Sequence, residues 1–260
     1  MFAVFKREFL SYFRNPLGWV AICLMGIISG YYFTGMITDA IPYVNIATEI
    51  NYLRSFFIIL IPIITMRLFA EEKRNGTDVL LYTMPFSMKD AVFGKFLAAL
   101  SLQALMLMCV FSHMIITMIL SGYVSPATWG AVFGYMVLAA LFISIGMLTS
   151  AMTENQIMSA VISFVILLFL SMISSIATSV SEMFKSFLKI TKLFNLSDSA
   201  IYSAGENLRK MIAWFDPYER TNCYTSGVIK IVPIIFCLSF TFVFIYITYR
   251  VLEKKRWSQH

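Results

Sequence analysis

Charged side chains are scarce in this sequence. Lys, Arg, Asp and Glu make up 13% of the 260 residues, about half of the 25% typical of soluble domains, while 59% are apolar against an ordinary value of about 45–50%. A soluble domain of this length needs a charged shell that these residues are too few to supply. The composition therefore excludes a cytosolic enzyme or a nucleic-acid-binding module, and it predicts a protein whose main solvent is lipid.

Residues that support catalysis or metal binding are also few. The two histidines are His113, in an apolar stretch, and His260, at the C-terminus, so a site with several histidine ligands is excluded. There is no Gly-x-Ser-x-Gly motif, and Lys89 and Phe96 stand where a phosphate-binding loop ending at Gly94-Lys95 requires glycine and a hydroxyl residue. We therefore expect no catalytic residue, metal or cofactor in this chain.

Acidic residues are missing from the middle of the apolar stretches. Asp39, Glu49 and Glu154 are assigned to the ends of spans or to loops. Because ion-coupled carriers usually contain intramembrane acids, this distribution argues against a carrier or channel that works alone. His113 is expected to make a hydrogen bond between packed helices.

Six apolar stretches are long enough to cross about 30 Å of hydrocarbon. The second contains Arg54 and Arg67, and we retain it because an arginine at each end can extend towards its own headgroup layer. The predicted spans are Leu17–Ile37, Leu53–Phe69, Val92–Leu120, Thr128–Thr149, Ile157–Ser179 and Val228–Tyr249.

The distribution of Lys and Arg predicts the orientation. Basic residues lie in the N-terminal segment, the second loop and the C-terminal tail, and are absent from the first and third loops. By the positive-inside rule, both termini and the loop at 67–91 are cytoplasmic. The loop at 180–227 is basic too, but it is long and contains five acidic residues, so we place it outside.

The first residues predict an amphipathic helix. Phe2, Phe5, Phe9 and Phe13 recur at helical spacing, and Pro16 ends the pattern. The alternative is an ordinary cytoplasmic anchor. We divide the chain into this helix, residues 1–16, and a membrane domain, residues 17–260.

The second loop has the most informative local pattern. Asn75-Gly76 predicts the end of a helix, and Thr77 and Asp78 can cap a short new helix that Pro85 closes. Ser87-Met88-Lys89-Asp90 is typical of a helix start. The short helix carries Val79, Leu80 and Leu81, which need an apolar partner: the membrane surface, the bundle or a cytoplasmic protein.

These residues carry a resemblance. Glu71-Glu72-x-x-x-Gly76-Thr77-x-x-x-Leu81-x-x-x-Pro85-x-Ser87, followed by Gly94-Lys95, resembles the cytoplasmic loop of ABC-2 type permeases, especially the compact ones associated with gliding motility and nitrous-oxide-reductase maturation. The resemblance implies that 78–84 is a coupling helix seated in an ATPase subunit and that 2–14 is the elbow helix. The residues it assigns to the ATPase interface are Glu71, Glu72, Gly76, Thr77, Asp78, Leu80, Leu81 and Pro85.

Two features, the external loop and the polar face of the fifth span, each allow two interpretations. Amphipathic stretches around Phe184–Thr191 and Ile201–Phe215 predict external helices at the outer interface, which in the family roof the export pathway; a basic loop touching anionic lipid is the alternative. Small polar residues share one face of the fifth span and either contact another helix or line a cavity. They are Ser163, Ser171, Ser174 and Thr178.

We therefore expect an all-α integral membrane protein with six spans: the permease subunit of an ATP-driven exporter in a bacterial plasma membrane. Its expected partners are two ABC ATPase subunits, which bind ATP and Mg²⁺, and a second permease, identical or related. An outer-face protein is a further candidate, in which case the complex transmits force and moves no solute.

Overall fold

The computed structural model describes residues 1–40, 45–77, 87–191 and 197–258. Every regular element in this part of the chain is a helix. Five helical stretches are long and apolar enough to cross a membrane, and one of them, Met88–Leu120, comprises two consecutive helices. A pair of shorter helices, Ile46–Ser55 and Phe57–Thr65, is bent by 60° and makes a sixth span when counted as one. The prediction of an all-α, multi-pass membrane protein is confirmed.

The helices are numbered in chain order. They are α1 Phe2–Arg14, α2 Pro16–Ala40, α3 Ile46–Ser55, α4 Phe57–Thr65, α5 Ala70–Arg74, α6 Met88–Met106, α7 Met108–Ser121, α8 Ala127–Met152, α9 Gln156–Thr191, α10 Asp198–Ala213, α11 Pro217–Thr221 and α12 Ile231–Ser258, with a 3₁₀ helix at Asn222–Ser226 between the last two.

Helix α1 is fixed to the bundle through a face that the phenylalanine pattern did not reveal. Val4 and Tyr12 are buried, and Glu8 lies between them on the same side of the helix at spacing four. The Tyr12 hydroxyl donates to the carbonyl of Ile64 at 2.9 Å. Val4 packs against Gly94 of α6. The four phenylalanine rings form a row beside this face, with neighbouring centroids 5.2–6.1 Å apart.

The second span differs from the straight helix predicted at 53–69. It consists of α3 and α4, which meet at Phe56, and it begins earlier, at Ile46. Arg54 does not extend into a headgroup layer. Its side chain is 3% exposed and its guanidinium is bound by Tyr218 and Thr221 of α11. Because the protein itself satisfies this charge, the polar residues before it belong to a helix packed in the bundle.

The fifth span is also longer than predicted. Helix α9 has 36 residues, about 54 Å at 1.5 Å per residue, well beyond the hydrocarbon thickness. The first amphipathic stretch is therefore the end of this helix and not a separate interfacial helix. Helix α10 packs back along it: Ser181 donates to the carbonyl of Gly205 at 2.8 Å, and the Lys185 ammonium lies 4.5 Å from the centre of the Tyr202 ring.

Helix α8 lies at the centre of the bundle, and 78% of its 18-residue apolar stretch is buried. Glycines allow its close contacts. Gly130 and Gly134 face Tyr224 of the 3₁₀ helix, and Gly146 faces Thr65 at the end of α4. Gly30 of α2 is different, since nothing described lies within 4 Å of a Cβ built there.

We expect Gly146→Ala to destabilise the protein by about 1–3 kcal/mol, the range for overpacking a dense core. A Cβ at this position lies 2.2 Å from Oγ1 and 2.9 Å from Cβ of Thr65, so α4 and α8 must move apart. Gly30→Ala is the matched control and has space for its methyl group. Thermal unfolding of both variants in detergent measures the difference; equal unfolding temperatures would contradict the close approach of these helices.

Candidate functional site

The predicted coupling loop is described on both sides of its centre. Helix α5 ends at Arg74 with Asn75 as its C-cap, and Gly76 has φ +66°, as the Asn75-Gly76 pattern predicted. Ser87 caps α6 through the backbone N–H of Asp90 at 3.2 Å, which confirms the predicted helix start. Of the predicted interface residues, Glu71, Glu72, Gly76 and Thr77 lie within the described residues, and the others do not: Asp78, Leu80, Leu81 and Pro85.

A buried lysine connects the two sides of this loop. Lys95 of α6 is 1% exposed, and its ammonium lies 2.9 Å from Oε1 of Glu72 and 3.4 Å from Oε1 of Glu8. It also donates to the carbonyl of Leu68 at 2.5 Å and lies 5.0 Å from the centre of the Phe69 ring. A buried ammonium is stable only when paired, so this charge holds α1, α5 and α6 together.

Arg7 completes the network. Its Nη2 lies 2.7 Å from Oε1 of Glu8 and 3.0 Å from Oε1 of Glu72, so two cations face two carboxylates. Burial raises the pKa of Glu8, but the charges and hydrogen bonds of Lys95 and Arg7 outweigh it, and the pKa lies below its ordinary value of 4.5. We call Arg7, Glu8, Glu72 and Lys95 the elbow network.

Helix α5 is also fixed to the end of α8. Ser150 accepts hydrogen bonds from the backbone N–H groups of Phe69 and Ala70 at 3.0 and 3.1 Å, which satisfies donors at the start of the helix. Lys73 donates to the carbonyl of Ala151. Glu71 pairs with Arg67 one turn away at 2.6 Å. Helix α5, which precedes the centre of the loop, is thus connected to α1, α6 and α8.

The burial of the two central members of the elbow network, Lys95 and Glu8, was not predicted from the sequence. Lys95 was counted among the loop charges, although it lies eight residues inside an apolar helix, and an intramembrane charge is itself a functional signal. Glu8 was not considered, because the prediction for α1 relied on its phenylalanine residues. Its spacing of four residues from both Val4 and Tyr12 is the signal that places it on the buried face.

A second candidate site is a polar cleft between the second and fifth spans. It has a volume of about 580 Å³ and is bordered by both halves of the bent span, by α9 and by the segment after α10. Ser171 and Ser174 line it; Ser163 donates within its own helix, and Thr178 is outside the lining. The charged lining residues are Arg54, Asp216 and Glu219.

Arg54 organises one wall of this cleft. Its Nη2 donates to the carbonyl of Tyr218 at 3.0 Å and to the hydroxyl of Thr221 at 2.5 Å, and its Nη1 lies 3.3 Å from Oδ1 of Asn51. The Ser174 hydroxyl donates to Glu219 from the other side at 3.1 Å. The cleft therefore joins span-borne side chains to the loop that precedes the last span.

The comparison with known families decides the assignment. A family model described as ABC-2 family transporter protein matches residues 2–257. The chain belongs to this family. None of the curated proteins compared with the chain matches it.

Membership confirms the resemblance carried by the Glu71–Ser87 motif. It makes this ABC-2 protein a membrane component of a transporter and not the catalytic subunit, and it implies an ATPase subunit, usually with a second permease, as partners. The elbow network and the cleft are features of this chain's own structure, and their roles are proposed below.

We expect acid to release α1 from the bundle, because the pKa of Glu8 is lowered in the folded protein. A lowered carboxyl pKa stabilises the folded state above pH 4.5, and this contribution disappears as the pH falls through the lowered value. Between about pH 6 and pH 3, the unfolding temperature of the wild type should fall further than that of Glu8→Gln, which lacks the titrating group.

Glu182→Gln is the control for this measurement. The Glu182 side chain is 65% exposed and lies outside the elbow network, so this variant should follow the wild type. A Glu8→Gln curve parallel to the wild-type curve would show that Glu8 does not contribute to the pH dependence.

Proposed function

We propose that this ABC-2 protein is the permease subunit of an ATP-driven exporter and that a separate ATPase subunit acts on the segment at 78–86. The observation that carries the proposal is the elbow network. Through Lys95 it joins the elements on both sides of that segment to α1, so a displacement there moves α1, α5 and α6 as one unit.

Helix α5, which leads into the segment at 78–86, is connected to the spans that border the cleft. Helix α5 follows the second span directly and is bound to α8 through Ser150. Gly146, one turn before Ser150, contacts Thr65 at the end of α4. Movement at the loop therefore reaches the bent span, one wall of the polar cleft, through packed helices. We propose that this cleft is part of the pathway for the exported molecule.

The proposed setting follows from the distribution of charge. Basic residues concentrate at the termini and in the loop at 67–91, which by the positive-inside rule supports our proposal that these lie on the cytoplasmic side of a bacterial plasma membrane, where an ATPase is available. Two permeases, identical or related, would pair with two ATPase subunits that bind ATP and Mg²⁺. Glu71, Glu72, Gly76, Thr77, Asp78, Leu80, Leu81 and Pro85 would form the contact.

A second candidate is a complex that transmits force to an outer-face protein without moving solute. The hairpin of α9 and α10 favours it, because α9 is longer than a membrane span requires. The part that extends beyond the membrane could bind a partner on the opposite side. Stimulation of ATP hydrolysis by that partner, without a transported substrate, would distinguish it. A channel or carrier that works alone would instead produce flux in vesicles that contain only this chain.

We expect the elbow network to be required for transmission but not for docking. Lys95→Met should retain the ATPase subunit on purification and lower substrate-stimulated ATP hydrolysis about fivefold or more, the loss for 1 kcal/mol of coupling free energy. Lys89→Met is the matched control, since Lys89 lies on the same helix and is exposed. Lys95→Arg should restore part of the activity, because it keeps the charge.

The docking step is tested separately. Leu80→Asp with Leu81→Asp places charges in the proposed contact and should abolish co-purification of the ATPase subunit. Full retention by this variant would contradict docking at 78–86. Full activity of Lys95→Met would contradict transmission through the elbow network.

We expect a large side chain in the cleft to block transport. Ser174→Trp should fill much of the space between α9 and the bent span and reduce transport about tenfold or more, while the complex still assembles. Thr178→Trp, one turn further along α9, is the control because Thr178 does not line the cleft. Transport into inside-out vesicles measures the effect, and equal rates for both variants would place the pathway elsewhere.

A further inference from the structure

A buried acidic residue lies within the bundle, where the sequence predicted none. Glu49 was assigned to a loop, but it lies in the first turn of α3 and is 0% exposed. His113, on α7, is its partner, and its imidazole Nδ1 lies 2.8 Å from Oε1 of Glu49. The predicted hydrogen bond of His113 between helices is therefore present, and it joins two ionisable groups. An ionisable pair inside a membrane bundle is a functional signal.

Ser29 joins the pair from α2. Its hydroxyl donates to Oε1 of Glu49 at 2.6 Å and lies 3.3 Å from Nδ1 of His113. The ring of Phe33, one turn further along α2, stacks on the imidazole with centroids 4.0 Å apart and an interplanar angle of 1°. Three helices, α2, α3 and α7, thus meet at one carboxylate oxygen.

The hydrogen bonds indicate where a proton can be gained or lost. Oε1 of Glu49 accepts from Ser29, so the contact with His113 is best satisfied by an N–H at Nδ1. The remaining positions for a proton are Nε2 of His113 and Oε2 of Glu49, and Oε2 has no hydrogen-bond partner among the described residues. With neither position protonated, the cluster carries one negative charge; with one protonated, it is neutral.

The described surroundings of the pair contain few other charges. Apart from Arg54, the titratable side chains described on the elements packed around Glu49 are cysteines and tyrosines, which are ordinarily uncharged at neutral pH: Cys23, Tyr31, Tyr32, Tyr52, Cys109, Tyr135, Cys223 and Tyr224. Arg54, five residues along α3 from Glu49, lies about 140° around the helix and binds α11 instead. Among the described residues, no other charge compensates Glu49, and an isolated charge in this environment is strongly unfavourable.

We propose that Glu49, His113 and Ser29 form an intramembrane proton-binding site, which holds one proton while α2, α3 and α7 are packed and exchanges it with water when they separate. The step is an acid–base reaction: an O–H or N–H bond in the site breaks, the proton passes to water, and uptake reverses it. No electron transfer is involved. The arrangement of the three helices and the proton occupancy of the site are then linked.

The contact between α2 and α7 provides the means to test this link. A Cβ built at Gly26 lies 3.7 Å from Sγ of Cys109, and Cys109 is one turn from His113. Gly26→Cys should therefore form a disulfide with Cys109 that holds the two helices together. Cys23, Cys223 and Cys237 are replaced by alanine so that no other thiol competes.

Histidine side-chain NMR of the full-length chain in lipid nanodiscs, purified without a histidine tag, reads the site directly. The chain contains two histidines, so the signal of His113 has to be told apart only from that of His260. Between about pH 5 and pH 8, we expect His113 to respond to pH in the reduced Gly26→Cys protein and to lose that response on oxidation. Reduction should restore it.

Two further variants separate proton exchange from a general loosening of the fold. Glu49→Gln should move the His113 response to a different pH interval, because the two groups no longer titrate as a pair. Tyr135→Phe removes another buried hydrogen bond, from Gln103 at 2.5 Å, and should leave the response unchanged. An identical His113 response in the oxidised and reduced proteins, or in the wild type and Glu49→Gln, would overturn the proposal. Neither readout requires an ATPase, so the result is independent of the proposed function.

Discussion

The burial of one ammonium group organises the end of the protein where the proposed ATPase contact lies. Lys95 is within an apolar helix and almost completely buried, so it requires acceptors from other elements. Glu8, Glu72 and the carbonyl of Leu68 supply them, and they come from α1, α5 and the turn after α4. Removing any one of these elements deprives the buried charge of one of its acceptors. The requirement therefore fixes the positions of three elements that are far apart in the sequence.

Small residues determine how closely the rest of the bundle packs. Lipid offers little hydrophobic drive for helix association, so close contact between backbones supplies much of the attraction. Gly94 lets α1 approach α6 near Lys95, and Gly146 lets α8 approach the end of α4. The ion contacts and the glycine contacts lie along the same helices. A displacement of the 78–86 segment can thus pass from charged contacts to packed ones without a flexible connection between them.

Much of the fold was predictable because it depends on local patterns. Apolar length reveals the spans, and Asn75-Gly76 and Ser87 reveal helix ends, since each signal lies within a few residues. The start of α3 was missed because Thr48, Glu49 and Asn51 interrupt the apolar run, and Glu49 finds its partners in Ser29 and His113, which are distant in sequence. The elbow network and the Glu49–His113 pair were missed for the same reason. A sequence shows that a charge is present, but its burial depends on partners from other helices.

The buried charges differ in the chemistry of their partners, and this difference separates structural from responsive positions. Lys95 contacts two carboxylates, a carbonyl and an aromatic ring, and Arg54 is held by a carbonyl and a hydroxyl of α11. Each of these cations is bound by several acceptors from other elements, so we regard their contacts as structural. Glu49 uses one oxygen, and its partner is a histidine, a residue whose charge changes near neutral pH. A proton can alter this contact while leaving the others intact, so any conformational response to pH near neutrality should begin where α2, α3 and α7 meet.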